Sequence, residues 1–91
     1  MKYFDWDEKK NQKLKNERGI GFETIVVAIV EGKLLVTLEH PKRANQKIYV
    51  VNVEDYAYMV PFVENEEKRF LKTIYPSRKM TKKYIIMKEK V

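Results

Sequence analysis

The chain has no cysteine. Disulfides and thiolate zinc sites are therefore excluded, and a reducing, cytoplasmic setting is the expectation. Histidine occurs once, at His40, so no second imidazole can join it at a metal. No metal and no cofactor is expected. Glycine and proline each occur three times, with no glycine-rich phosphate loop and no interdomain linker among them. The longest apolar run, Ile25 to Val30, is far too short to span a bilayer. The opening residues Met1 to Lys10 lack the apolar segment of a signal peptide, and no membrane partner is expected. The chain has 91 residues, of which 44% are hydrophobic, so one folded domain over 1–91 is expected. A domain of that size buries roughly 60–65% of its unfolded surface, enough for one core.

What the chain does have is charge, unevenly placed. The net charge is +6. Residues 68–90 hold nine of the nineteen Lys and Arg side chains and one of the thirteen acidic ones. That stretch carries +8 and leaves −2 for the rest. Charge of one sign packed into a small region repels itself, which makes physical sense if a polyanion binds there. A merely solvated basic helix is the structural alternative. Within the stretch, Phe70 to Tyr75 reads as a strand that Pro76 ends, and Ser77 is placed to cap a helix from Arg78. Arg78 and Lys79 then sit at a strand-to-helix corner, where outward N–H groups also favour anions.

The remaining elements follow from periodicity. Lys2 to Trp6 alternates as a short edge strand, and Asp5 or Asp7 caps a polar helix that Leu14 anchors and Gly19 ends. Glu8, three residues after Asp5, offers a capping box. Phe22, Ile25, Val26, Ile29 and Val30 repeat at helical spacing, which predicts a helix over 22–31 closed by Gly32; a strand is the alternative, given the β-branched residues. From Lys33 the period becomes two. Leu34, Val36 and Leu38 alternate with Leu35 and Thr37, and Ile48 to Val53 is nearly continuous. Tyr56, Tyr58, Val60 and Phe62 share one face, as do Phe70, Lys72 and Ile74. Glu54-Asp55 and Glu64 to Glu67 make hairpin turns, and Pro61 suggests an edge or a bulge in its strand. A final helix places Met80, Tyr84, Met87 and Val91 near one side. The fold class expected is α+β: two N-terminal helices on an antiparallel sheet of four to five strands, then a C-terminal helix.

Candidate chemistry is sparse. His40, in Glu39-His40-Pro41, titrates near neutral pH and suits proton transfer, although a His before Pro also reads as an ordinary loop residue. Glu64, Glu66 and Glu67 read as solvated turn charges. Tyr49, Tyr56 and Tyr58 read as core, and Trp6 as packed. Tyr75 and Tyr84 lie within the basic stretch, where a phenol can stack on a base or contact a phosphate.

Two motifs resemble a known family. Phe4-Asp5-Trp6-Asp7, Lys10, Arg18-Gly19-Ile20 and Phe22-Glu23 look like the N-terminal pattern of the BrnT toxins. Pro76-Ser77-Arg78-Lys79 and Thr81 look like that family's strand-to-helix signature. Arg18 stands where a common pattern has His, and Lys82 and Lys83 stand where many members carry Glu. The resemblance implies a RelE-like ribonuclease fold. It implies the toxin of a bacterial type II toxin–antitoxin system, a metal-independent endoribonuclease that inhibits translation, with a ribbon-helix-helix antitoxin as partner. In that role Arg78 and Lys79 would hold the phosphate, Lys72 and Tyr84 would support them, and His40 or Tyr75 would transfer protons. Lys82 and Lys83 would add to the RNA-binding surface. A nucleic-acid-binding or regulatory module without chemistry is the alternative.

Overall fold

Asp7 separates the first strand from the first helix. In the computed structural model, which describes residues 2–87, strand β1 (Tyr3–Trp6) leads directly into helix α1 (Glu8–Arg18). The Asp7 carboxylate accepts the Lys9 N–H at 3.0 Å and caps the helix. Asp5 lies in β1 instead and pairs with Lys68 at 3.1 Å. No capping box forms, because the Glu8 carboxylate accepts from Trp6, Asn11 and Gln12 side chains. Gly19, at φ 69°, takes the left-handed position that stops α1.

Helix α2 (Phe22–Val30) forms where the 3.6-residue spacing predicts it. Phe22 and Ile25 are fully buried, and Val26 and Ile29 pack against the same core. Val30 departs from the expected stripe and is 77% exposed. The buried side is rotated toward Ala28, which carries Val30 round to solvent.

The sheet contains β1, β2 (Leu34–Glu39), β3 (Lys47–Val53), β4 (Tyr56–Glu64), β5 (Lys68–Leu71) and β6 (Tyr75–Pro76). Their order is β1-β5-β4-β3-β2, with β6 also paired to β4. The sheet is mixed, not wholly antiparallel, and has six strands where four to five were expected. β1 runs parallel to β5, with Asp5 beside Phe70 and Trp6 beside Leu71. That pairing joins residues some sixty positions apart, a relation that local periodicity cannot express.

Two irregularities decide which side chains face where. Leu35 is an extra residue between the pairs Leu34–Val51 and Val36–Val50. This bulge puts Leu34 in the core under the helices and Val36 and Leu38 on the opposite face, so the three do not share a side as expected. The second lies opposite Pro61. Phe62 pairs with Leu71 and Met59 with Tyr75, so three steps on β4 match four on the facing chain. The strand expected over 70–75 is thus broken into β5 and β6. Leu71 and Ile74 enter the core, and Phe70 is turned out of it, contrary to the alternation expected for Phe70, Lys72 and Ile74. Pro61 lies inside an interior strand; the irregularity it was expected to mark falls in its neighbour.

Apolar layers cover both faces of the sheet. On one, Leu14, Phe22 and Ile25 pack on Tyr49, Val51, Val60, Phe62, Leu71 and Ile74. On the other, Ile85 and Met80 pack on Val50 and Ala57. Coverage on both sides explains the unbroken apolar run of β3. Among the described residues no helix is long and apolar enough to cross a membrane.

Candidate nucleic-acid interface

The strand-to-helix corner forms as its residues suggest. Tyr75 and Pro76 pair with Met59 and Tyr58, and Ser77 caps helix α3 (Arg78–Thr81), its hydroxyl accepting the Met80 N–H at 3.1 Å. The helix then continues as a wider π-wound stretch, Lys82–Ile86. Thr81 is the anchor. Its hydroxyl donates to the Ser77 carbonyl and accepts the Ala57 N–H, each at 2.8 Å, while the Ser77 N–H donates to the Ala57 carbonyl. The corner therefore docks on β4 through both backbone groups of Ala57. The buried side of the helix is Thr81 and Ile85, with Met80 half-buried. Met87 is exposed, not on the packed side as expected, because the Thr81 anchor and the π winding shift the period. Lys88 to Val91, including the expected Val91 contact, lie outside the described residues.

Arg78, Lys79, Lys82 and Lys83 are exposed on this helix. Lys83 lies over the Tyr84 ring at 5.3 Å, and Tyr84 is half-buried. Tyr75 and Phe70 belong to the same face of the sheet as this helix, since Tyr75 pairs with Met59, Met59 with Val50, and Phe70 with Val63 four positions along β4. Lys68 and Lys72 flank the Phe70 ring at 5.7 and 5.6 Å. The face thus combines Phe70, Tyr75 and Tyr84 with a group of cations. Among the described residues, Lys72, Arg78, Lys79, Lys82 and Lys83 make no ion pair. One ion pair, Lys68 with Asp5, borders Phe70 on this face; the others use Glu23, Glu31 and Glu64.

His40 stands apart. It follows Glu39, which aligns with Lys47 and, through it, Phe62, whereas the corner lies at Ala57. Five residues of strand separate the two levels, about 17 Å. The His40 Nδ1 accepts the N–H groups of Lys42 and Arg43 at 3.1 and 3.2 Å, so the ring shapes the loop after β2. The structure brings Arg78, Lys79, Lys82, Lys83 and Tyr84 together on one helix beside Tyr75, and leaves His40 out.

The N-terminal motif proves architectural in its contacts. Trp6 stacks on Phe22 with ring centroids 5.6 Å apart, Asp7 caps, Gly19 turns and Ile20 is buried. Sequence reading missed a second charged cluster. Glu64 receives Lys2 at 3.1 Å, Arg69 at 3.2 Å and Lys47 at 3.6 Å, and hydrogen bonds from Lys2 and Arg69 hold its carboxyl below the ordinary range. These residues come from three separate parts of the chain, so no local spacing signalled them. Among the described residues no group of three or more His, Cys, Asp or Glu side chains is placed to hold a metal.

In comparisons with known proteins, no family model, no curated protein and no solved structure matches the chain.

Proposed function

We propose that the chain is a BrnT-like toxin of a type II toxin–antitoxin system, acting on RNA through the face that carries α3. The observation that supports this reading is the group of cations, Arg78, Lys79, Lys82, Lys83 and Lys72, which make no ion pair among the described residues and share a face with the aromatics Phe70 and Tyr75. Cations track a phosphate backbone, and aromatic faces stack unpaired bases. In this reading the fold is a RelE-like variant, and a ribbon-helix-helix antitoxin covers the basic helix by charge complementarity.

Cleavage in this reading is metal-independent. The RNA 2′-oxygen attacks the adjacent phosphorus as its proton leaves to a base. The bond from phosphorus to the 5′-oxygen breaks as that oxygen takes a proton, leaving a 2′,3′-cyclic phosphate and a 5′-hydroxyl. Arg78 offers a planar fork to two phosphate oxygens, with Lys79 beside it, as negative charge builds in the transition state. Ser77 and Thr81 spend their hydroxyls on the backbone, so proton transfer is assigned to Tyr75 and Tyr84 on the same face; His40 is assigned no role. A second reading, binding without cleavage, is favoured by one observation. Neither Tyr75 nor Tyr84 has its hydroxyl hydrogen-bonded to a base among the described residues.

The test is incubation of purified protein with single-stranded RNA in EDTA. Cleavage that Arg78→Lys slows about tenfold or more, with RNA affinity and melting temperature retained, is the expected result. Salt-sensitive binding with no cleavage selects the binding module.

A further inference from the structure

The Glu64 cluster borders a cleft on the opposite face of the sheet from α3. The cleft measures about 280 Å³ and is walled by Ile29, Leu34 and Thr37 on one side and by Lys47, Glu64 and Arg69 on the other, with Tyr49 lining it. Lys47 and Arg69 line the cleft against one carboxylate, Glu64, which Lys2 also meets from outside the lining, so cations outnumber the acid at the cleft wall. Arg69 engages Glu64 through Nε and lies over the Phe4 ring at 6.0 Å, which fixes the guanidinium and leaves both Nη groups available. Tyr49 is 5% exposed, and its ring is stacked on Phe62 at 4.0 Å. Its hydroxyl has no hydrogen-bond partner among the described residues, yet no buried polar side-chain atom is left without one, so the hydroxyl opens to the cleft. It feels the charges of both Arg69 and Glu64.

From this juxtaposition we infer that the cleft binds a small phosphate monoester with an apolar or aromatic body, of about mononucleotide size. The excess of cations at the wall favours an anionic phosphate. Arg69 supplies a forked contact and Lys47 a point charge, as phosphate recognition uses them. The Tyr49 hydroxyl donates a further hydrogen bond that nothing else in the cleft accepts. Ile29 and Leu34 take the apolar body, and the volume, close to the lower bound for ligand sites, suits a small one. Phe62 and Tyr49 are too buried to stack a base, so the body lies against the aliphatic wall. This site is independent of the RNA reading, because it uses the other face of the sheet.

The test is calorimetric titration with AMP, adenosine and inorganic phosphate at low salt. One saturable site for AMP, with weaker binding of phosphate and of adenosine, is expected. Lys47→Gln and Arg69→Gln each weaken AMP by at least about tenfold, and Tyr49→Phe, which keeps the stacked ring, by about three- to tenfold. Unchanged AMP affinity in folded Tyr49→Phe and Lys47→Gln overturns the proposal. So does loss of AMP binding in the triple variant Arg78→Gln, Lys79→Gln, Lys83→Gln, which places the anion on the C-terminal helix.

Discussion

Asn11 is fully buried, and each half of its amide is used. Its carbonyl accepts the Phe22 N–H at 2.8 Å, and its amino group donates to both Glu23 oxygens at 3.0 and 2.9 Å. The residue preceding α2, Gly21, has no side chain to cap it, so α1 caps α2 from outside. A Cβ on Gly21 would lie 2.9 Å from the Asn11 carbonyl oxygen and 2.5 Å from the Lys15 side chain. Asn11→Ala is expected to cost about 2–3 kcal/mol, since it orphans a buried N–H, and urea unfolding measures it. A second residue-scale test concerns Glu54 and Asp55, at φ 53° and 65°. Both central residues of this two-residue hairpin are left-handed, a geometry that favours glycine at the second position. Asp55→Gly is expected to raise the unfolding free energy by about 1 kcal/mol, read as a higher urea midpoint at an unchanged slope. A destabilised variant would mean that Asp55 makes a compensating contact.

At the scale of elements, the C-terminal helix is tied to the sheet by the Thr81 hydroxyl and by the packing of Met80 and Ile85. Thr81→Val keeps the volume but removes the acceptor for the Ala57 N–H. About 1–3 kcal/mol should be lost, and hydrogen exchange should quicken at Ala57 and across residues 78–86 before it quickens in β3. Uniform loss of protection would show that the helix and the sheet open as one unit. α2 is held differently, by Phe22 and Ile25 at 0% exposure. Ile25→Asp buries an unpaired carboxylate among apolar side chains and should leave no folded protein in circular dichroism.

Across the whole molecule, charge is segregated. Carboxylates pair near β1, α1 and the β4–β5 turn, and the C-terminal cations stay free among the described residues. If Lys72, Arg78, Lys79, Lys82 and Lys83 all meet phosphates, the logarithm of RNA affinity should fall against that of salt with a slope of about −3 to −4. A slope near zero removes the basic face from the interface. Acid stability follows from the same pairing. Hydrogen bonds from Lys2 and Arg69 depress Glu64, Asn11 depresses Glu23, and Lys68 depresses Asp5. A depressed carboxylate contributes stability above its unfolded value and loses it as pH falls through its folded one. The melting temperature should therefore fall below about pH 4.5, the ordinary Glu value, and Glu64→Gln should flatten that limb.

The sequence by itself determined both N-terminal helices, the β3–β4 hairpin, the Ser77 cap and the +8 stretch. Each rests on neighbours within a few positions: the spacing of Phe22, Ile25 and Ile29, the turn at Glu54-Asp55, a hydroxyl three residues before the N–H it accepts. Tertiary structure alone decided the rest. The parallel pairing of β1 with β5, the extra residues at Leu35 and opposite Pro61, and the removal of His40 from the corner depend on strands meeting from distant parts of the chain. The same holds for the cleft, where Lys2, Lys47, Tyr49, Glu64 and Arg69 converge. A bulge moves every later side chain to the other face, and its position is fixed by the partner strand, so no period along one segment can announce it.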